Sequence, residues 1–94
     1  MKLNFEWDKE KAKANLKKHR VSFEEATAVL LDPLSMTISD PDHSVDEQRH
    51  IDIGTSHKGR VLVVVYSERG SNIRIISCRK ATPSERRLYE RGGE

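Results

Sequence analysis

Arginine is the residue type in this chain best equipped for chemistry, and its placement is informative. Arg74 stands inside the apolar run 73–78, Arg79 and Lys80 close that run, and Arg86, Arg87 and Arg91 follow within one short helical stretch. A guanidinium presents its donors in a planar fork that matches pairs of phosphate or carboxylate oxygens. Several such forks on a rigid strand describe a surface that holds oxyanions. Segment charges agree. Residues 58–94 hold nine Lys/Arg against four Asp/Glu, and residues 9–20 hold six bases against one acid. Residues 32–52 hold six acids against the single Arg49. A net charge of only +2 hides this polarity.

Other chemistries find less support. His43, His50 and His57 recur every seven residues, but they fall in a loop, a strand and another loop, without a Cys pair, so no metal site is expected. Gly54, Gly59 and Gly70 read as turn glycines and match no nucleotide-cradling loop, so no cofactor is expected. Metal-free RNA cleavage is the reaction a cationic sheet supports with least equipment. The ribose 2′-OH is the nucleophile, and the protein orients the backbone, stabilises charge on the phosphoryl oxygens and moves protons. Arg49, Arg74, Arg79 and Arg86 are the charge candidates; His19, Glu47 and Tyr89 are the proton-handling ones. Lys18, Arg60 and Lys80 are further candidate RNA contacts.

Plainer readings stand beside these. Glu47 can pair with Arg49 two residues on, His19 can serve as a helix-end cation, and Tyr89 can pack its ring on the sheet with its hydroxyl in water. Asp8 reads better as a helix cap than as a catalytic acid, and Trp7 as core. Cys78, at an apolar strand position, reads as a buried thiol; a lone cysteine allows no internal disulfide and fits a reducing cytoplasm.

The elements that must position these groups are legible from period and punctuation. At 94 residues one domain is expected over 1–94, and an apolar fraction of 35% gives it a small core. No run nears the ~18 apolar residues of a membrane span, and the N-terminus lacks the apolar stretch of a signal peptide. Residues 3–7 alternate as a short strand. Asp8 caps a helix whose apolar face is Ala12, Leu16 and His19. Ser22 and Glu25 form a capping box for a second helix, with Phe23, Ala26 and Leu30 as its stripe, ended by Asp32-Pro33. The short connection predicts a helical hairpin. Four strands follow: around Met36 and Ile38, at 49–53 with Gly54 ending it, at 61–66, and at 73–80. The third of these is apolar on both faces and hence central. Thr82, Pro83 and Glu85 open a last helix with a second capping box. The order β-α-α-β-β-β-β-α describes an α+β fold, a small, mostly antiparallel sheet with the helical hairpin on one face.

Segments spread along the chain also carry a resemblance. Phe5-Glu-Trp-Asp8, Asn15-Leu-Lys-Lys-His19, Val21-Ser-Phe-Glu-Glu-Ala26, Asp32-Pro33, Glu47-Gln-Arg49, Ile53-Gly54 and Ile73-Arg-Ile-Ile-Ser-Cys-Arg-Lys-Ala81 follow in order the pattern of BrnT proteins. These are toxin halves of bacterial type II toxin–antitoxin pairs, and the resemblance spans Phe5 to Tyr89. It implies a RelE-like fold and a cytoplasmic ribonuclease that inhibits translation. It also implies neutralisation by a BrnA-type DNA-binding antitoxin, operator DNA being reached only through the antitoxin complex. Arg49 and Arg79 occupy family-typical positions, which implies a catalytic or phosphate-binding role. Lys18-His19 and Glu85-Arg86 match the pattern too, and Tyr89 is similar in place to the C-terminal tyrosine that assists RelE-type toxins.

A rival class is a non-catalytic nucleic-acid-binding or transcriptional co-regulatory module. It predicts a helix free to enter a major groove. The two N-terminal helices do not offer one, because Phe23, Ala26 and Leu30 commit their hairpin to the sheet.

Overall fold

The computed structural model describes residues 4–39 and 49–92. Its elements run β1 (Asn4–Glu6), α1 (Lys9–His19), α2 (Phe23–Leu30), β2 (Met36–Ser39), β3 (Arg49–Thr55), β4 (Val61–Arg69), β5 (Asn72–Lys80) and α3 (Pro83–Glu90). They form the expected α+β architecture in the expected order. The sheet order is β1-β5-β4-β3-β2, antiparallel throughout except that β1 lies parallel to β5. Among the described residues no helix is long and apolar enough to cross a membrane.

Capping chemistry sets the helix starts. Asp8 accepts from the N–H groups of Glu10 and Lys11 at 2.8 and 3.2 Å, and Ser22 accepts from Glu25 N–H at 3.1 Å. The capping box of α3 is complete: Thr82 accepts from Glu85 N–H, and Glu85 accepts from Thr82 N–H. The box expected at α2 forms only by half. Glu25 turns inward instead, to a fully buried position where Arg60 and Ser56 hold its carboxylate.

α1 and α2 cover one face of the sheet. Val21, Phe23, Ala26 and Val29 pack there on Leu62, Val64, Tyr66, Ile75 and Cys78, with Phe5 and Trp7 at the margin. Trp7 meets Phe23 edge-on at 5.9 Å between ring centroids, which is the core role its alternation suggested. The stripe of α2 is shifted by one residue at its end, Val29 being fully buried and Leu30 only partly. The face of α1 differs more. Leu16 is exposed and Asn15 is the buried residue.

The reason is a free stretch of strand edge. β1 pairs with β5 only as far as Glu6 and Arg74, so among the described residues the later part of β5 has a strand on its β4 side alone. Asn15 fills the gap: its carboxamide donates to Cys78 C=O at 2.8 Å and accepts from Cys78 N–H at 3.1 Å, as a strand would. It also donates to Val21 C=O at 2.9 Å, tying the helix connection to the same spot. Arg20 makes that connection in the left-handed region, φ 60°, and its carbonyl accepts from Arg60.

Gly54 does not end its strand as expected; β3 runs on to Thr55. A Cβ at Gly54 would lie 3.1 Å from atoms of Val29, Asp32 and Ser35, so glycine lets the end of α2 approach the sheet. β4 and β5 are longer than 61–66 and 73–80 and meet in a two-residue turn, with Gly70 at φ 59°.

Candidate nucleic-acid interface

Register decides which side chains share the other face. Directly paired residues on neighbouring strands point the same way. Arg49 pairs with Ser67, Ser67 with Arg74, and Arg74 with Glu6, so one row crosses β3, β4, β5 and β1. A second row runs Met36, Ile53, Val63 and Arg79, and between them lies Ile38, Ile51, Val65 and Ser77. Arg74 and Arg79 are five residues apart, an odd number that would put them on opposite faces of a regular strand. They share a face because β5 carries a bulge. Val65 pairs with Ser77 and Tyr66 with Ile75, leaving Ile76 as the extra residue.

α3 lies across one end of this face. At its start, Arg79 Nη1 and Nη2 donate to the two carboxylate oxygens of Glu85 at 2.8 and 2.9 Å. The Arg79 pair, with the Thr82 N–H, holds the Glu85 carboxyl down at about 2. Near the other end, Tyr89 donates to Asp32 at 2.7 Å and accepts from Thr55 at 3.0 Å. Under this helix Ile53 and Val63 are almost fully buried, although α3 buries none of its own residues completely.

The sequence candidates therefore divide. Arg49, Arg74 and Arg79 come together on the face opposite α1 and α2. Arg79 keeps 43% of its side chain exposed, its fork oriented by Glu85. Arg74 donates to Glu6 at 2.9 Å, as does Asn72, and these bonds lower the Glu6 pKa. Lys18 and His19 border the same region from α1. With Asn15, Ile76 and Ser77 they line a depression of about 240 Å³ beside the bulge. Arg86 is exposed on α3.

Two cations do not join them. Lys80 pairs with Leu62, which places it on the helix-bearing side. Arg60 reaches that side too, where its Nε donates to Glu25 at 3.0 Å and one Nη2 serves both Glu25 and the Arg20 carbonyl. Both sit just outside regular strand hydrogen bonding or at a strand end, where sequence alone gave no face.

Tyr89 is not simply packed with its hydroxyl in water; it is an anchor. The bond to Asp32 raises its pKa, which disfavours phenolate formation. Glu47 lies outside the described residues. Cys78 is fully buried, and burial pushes its thiol to about 12. His50 lies on the helix side, against the Tyr66 ring at 5.4 Å and near Glu68 at 3.5 Å. Next to it Asp52 is buried, accepting from Thr37 at 2.6 Å and Tyr66 at 3.1 Å, with its pKa raised by desolvation. Among the described residues no group of three or more His, Cys, Asp or Glu is placed to hold a metal ion.

Sequence reasoning passed over Glu6 and Ser67, both in the arginine row. Neither has a local signal, since each becomes significant only through its partner strands.

Comparison with known proteins identifies a family and a similar fold. The family model described as the ribonuclease toxin BrnT of type II toxin–antitoxin systems matches residues 7–85. The crystal structure of the Brucella abortus ribonuclease toxin BrnT is similar in fold, with a TM-score of 0.64 and 24% identity, covering 86% of this chain and 99% of that one. No curated protein sequence matches.

Proposed function

Since the chain belongs to the BrnT family of ribonuclease toxins of type II toxin–antitoxin systems, we propose that it cleaves RNA without a metal ion, on the sheet face that carries Arg49, Arg74 and Arg79. The observation that carries this reading is the bulge in β5, which brings three guanidinium groups from two strands to one face. The 2′-OH attacks the adjacent phosphorus, forming a 2′,3′-cyclic phosphate and breaking the bond to the 5′ oxygen. One group accepts the 2′-OH proton and another donates a proton to the leaving oxygen. Arg79 and Arg49 stabilise charge on the non-bridging oxygens as it develops. Arg79 suits this because Glu85 fixes its plane while leaving part of the fork in solvent. Arg74, Lys18 and Arg86 hold the flanking backbone. His19 and Glu47 are the proposed proton carriers. Tyr89 acts by pinning α3 in place, since its hydroxyl is committed to Asp32 and Thr55.

The neutralising partner is proposed to be a BrnA-type antitoxin that covers this cationic face with carboxylates in place of RNA phosphates, in the cytoplasm where the substrate is made. Electrostatic steering would make its association fall with salt more than its dissociation rises. A DNA-reading role for α1 and α2 has no free helix to use, because Phe23, Ala26, Val29 and Asn15 bind both to the sheet.

The test is incubation of antitoxin-free protein with RNA in a chelating buffer. Cleavage leaving 2′,3′-cyclic phosphate ends is expected; cleavage that appears only with Mg²⁺ or Mn²⁺ would overturn the metal-free route.

A further inference from the structure

Ser67 stands at the centre of the arginine row, flanked across β3 by Arg49 and across β5 by Arg74. The residue is only 1% exposed, and its hydroxyl has no hydrogen-bond partner among the described residues. A buried hydroxyl left unsatisfied is destabilising, so the fold gains nothing from serine here. Alanine would pack as well, with no orphaned oxygen. A donor held at that cost beside two guanidinium groups has the chemistry of an oxyanion site.

Glu6 completes the picture. Its carboxylate, about one-third exposed, accepts from Arg74 on one oxygen and from Asn72 on the other. The contact to Arg74 is the contact a phosphate oxygen would make. Asn72 pairs with Asn4 and precedes Arg74 by two residues, so it lies on the same face and presents a second donor.

We propose that Arg49, Ser67 and Arg74 form a phosphate-binding subsite for the RNA backbone, occupied at rest by the carboxylate of Glu6. The inference rests on the RNA-cleaving reading and adds a subsite and a built-in competitor to it. An incoming phosphate takes the Glu6 position on Arg74 and draws that side chain off β1. The Ser67 hydroxyl then donates to a second oxygen of the same phosphate. Glu6, released, is repelled by the substrate and turns to solvent. The subsite thus discriminates against weakly charged ligands, because each must displace an internal anion.

The experiment measures binding of a labelled 2′-O-methyl oligoribonucleotide, which cannot be cleaved through its blocked 2′ oxygen, by fluorescence anisotropy over a salt series. Thermal unfolding of each variant is followed in parallel. Ser67→Ala is expected to weaken binding about threefold to tenfold, the range of one hydrogen bond, while its melting temperature holds or rises. Glu6→Gln is expected to bind more tightly and to steepen the salt dependence by about 0.7 in log–log slope, the value of one added single-strand phosphate contact. A merely structural serine would show the reverse, lower melting temperature with unchanged affinity. Ser67→Cys, close in size with a weak donor, should repeat the loss and covers the case in which the alanine variant does not fold. Unchanged affinity in both Ser67 variants, or weaker binding by Glu6→Gln, overturns the subsite. If the wild-type protein neither binds this probe nor cleaves its 2′-hydroxyl counterpart, the RNA reading itself falls and the subsite with it. Wild-type cleavage with silent Ser67 and Glu6 variants removes the subsite alone.

Discussion

The two faces of the sheet treat polar groups in opposite ways. On the helix-bearing face every buried polar side chain has fixed partners: Asn15 on Cys78 and Val21, Glu25 on Arg60 and Ser56, Asp52 on Thr37 and Tyr66. On the other face both members of each charged pair are partly in solvent, and Ser67 is buried with no partner among the described residues. Ion pairs alone do not make the difference, since both faces have them. Exchangeability does. Glu25 is 1% exposed and cannot be replaced by water or by a ligand, whereas Glu6 and Glu85 sit where another anion can compete. One face spends its polar chemistry on holding the helices, and the other keeps it available.

The strongest way to break this contrast is to remove one arginine from each side. Arg60→Ala leaves the Glu25 carboxylate buried without its cation, which should cost about 3–5 kcal/mol of stability, toward the lower end because Arg60 is itself 30% exposed. Arg74→Ala breaks a pair of which both members reach solvent, so its loss should be much smaller. Denaturant midpoints of the two variants check this; equal losses would mean that the faces are not energetically distinct.

Arg79→Ala reports on function instead. Its cleavage rate should fall on the order of 10²–10³, the usual effect of removing one transition-state donor. Arg79→Lys should stay impaired, because an ammonium cannot reproduce the paired guanidinium contact. Wild-type cleavage by the alanine variant, at matched folding, would move the site elsewhere.

A smaller effect than the loss of Arg60 or Arg79 is expected in acid. Glu85 is lowered from 4.5 to about 2, so its contribution is fully present above pH 4.5 and is lost as pH falls toward 2. Solvent screening at Arg79 limits this to about 1–2 kcal/mol. Asp52 has the opposite sign: burial raises its pKa, so it opposes folding when ionised and ceases to do so once protonated. Acid unfolding of Glu85→Gln beside the wild type isolates the Glu85 contribution. The variant should show a flatter stability profile between pH 4.5 and 2, and identical profiles would show that the pair with Arg79 is not held in solution.

Local chemistry made most of the architecture legible. Asp8, Ser22 and Thr82 cap the helices they were expected to cap, and the two-sided apolarity of 61–66 placed β4 in the middle of the sheet. What escaped was non-local. Asn15 is buried because β1 is too short to cover β5, and Glu25 leaves its capping box because Arg60, thirty-five residues on, attracts it inward. The same limit divided the site. Arg79 and Lys80 are neighbours in sequence yet lie on opposite faces, while Arg74 and Arg79 share one through a bulge that no residue type announces. Arginine composition indicated the chemistry; only strand pairing could say which arginines meet.

That bulge makes the length of β5 matter in a way its letters do not. Exchanging Ile76 for another residue alters one half-buried side chain. Arg74 and Arg79 are five residues apart in sequence but face strand positions only four apart, Ser67 and Val63. Deleting Ile76 would therefore leave a regular strand with both arginines still on one face. One residue more between them, with a single bulge, would turn one arginine toward the layer that holds Phe5 and Cys78. A frame of this kind absorbs a dropped letter at the bulge and fails on an added one. In comparing related chains, an inserted residue at this point would therefore say more about a lost site than substitution of any one arginine.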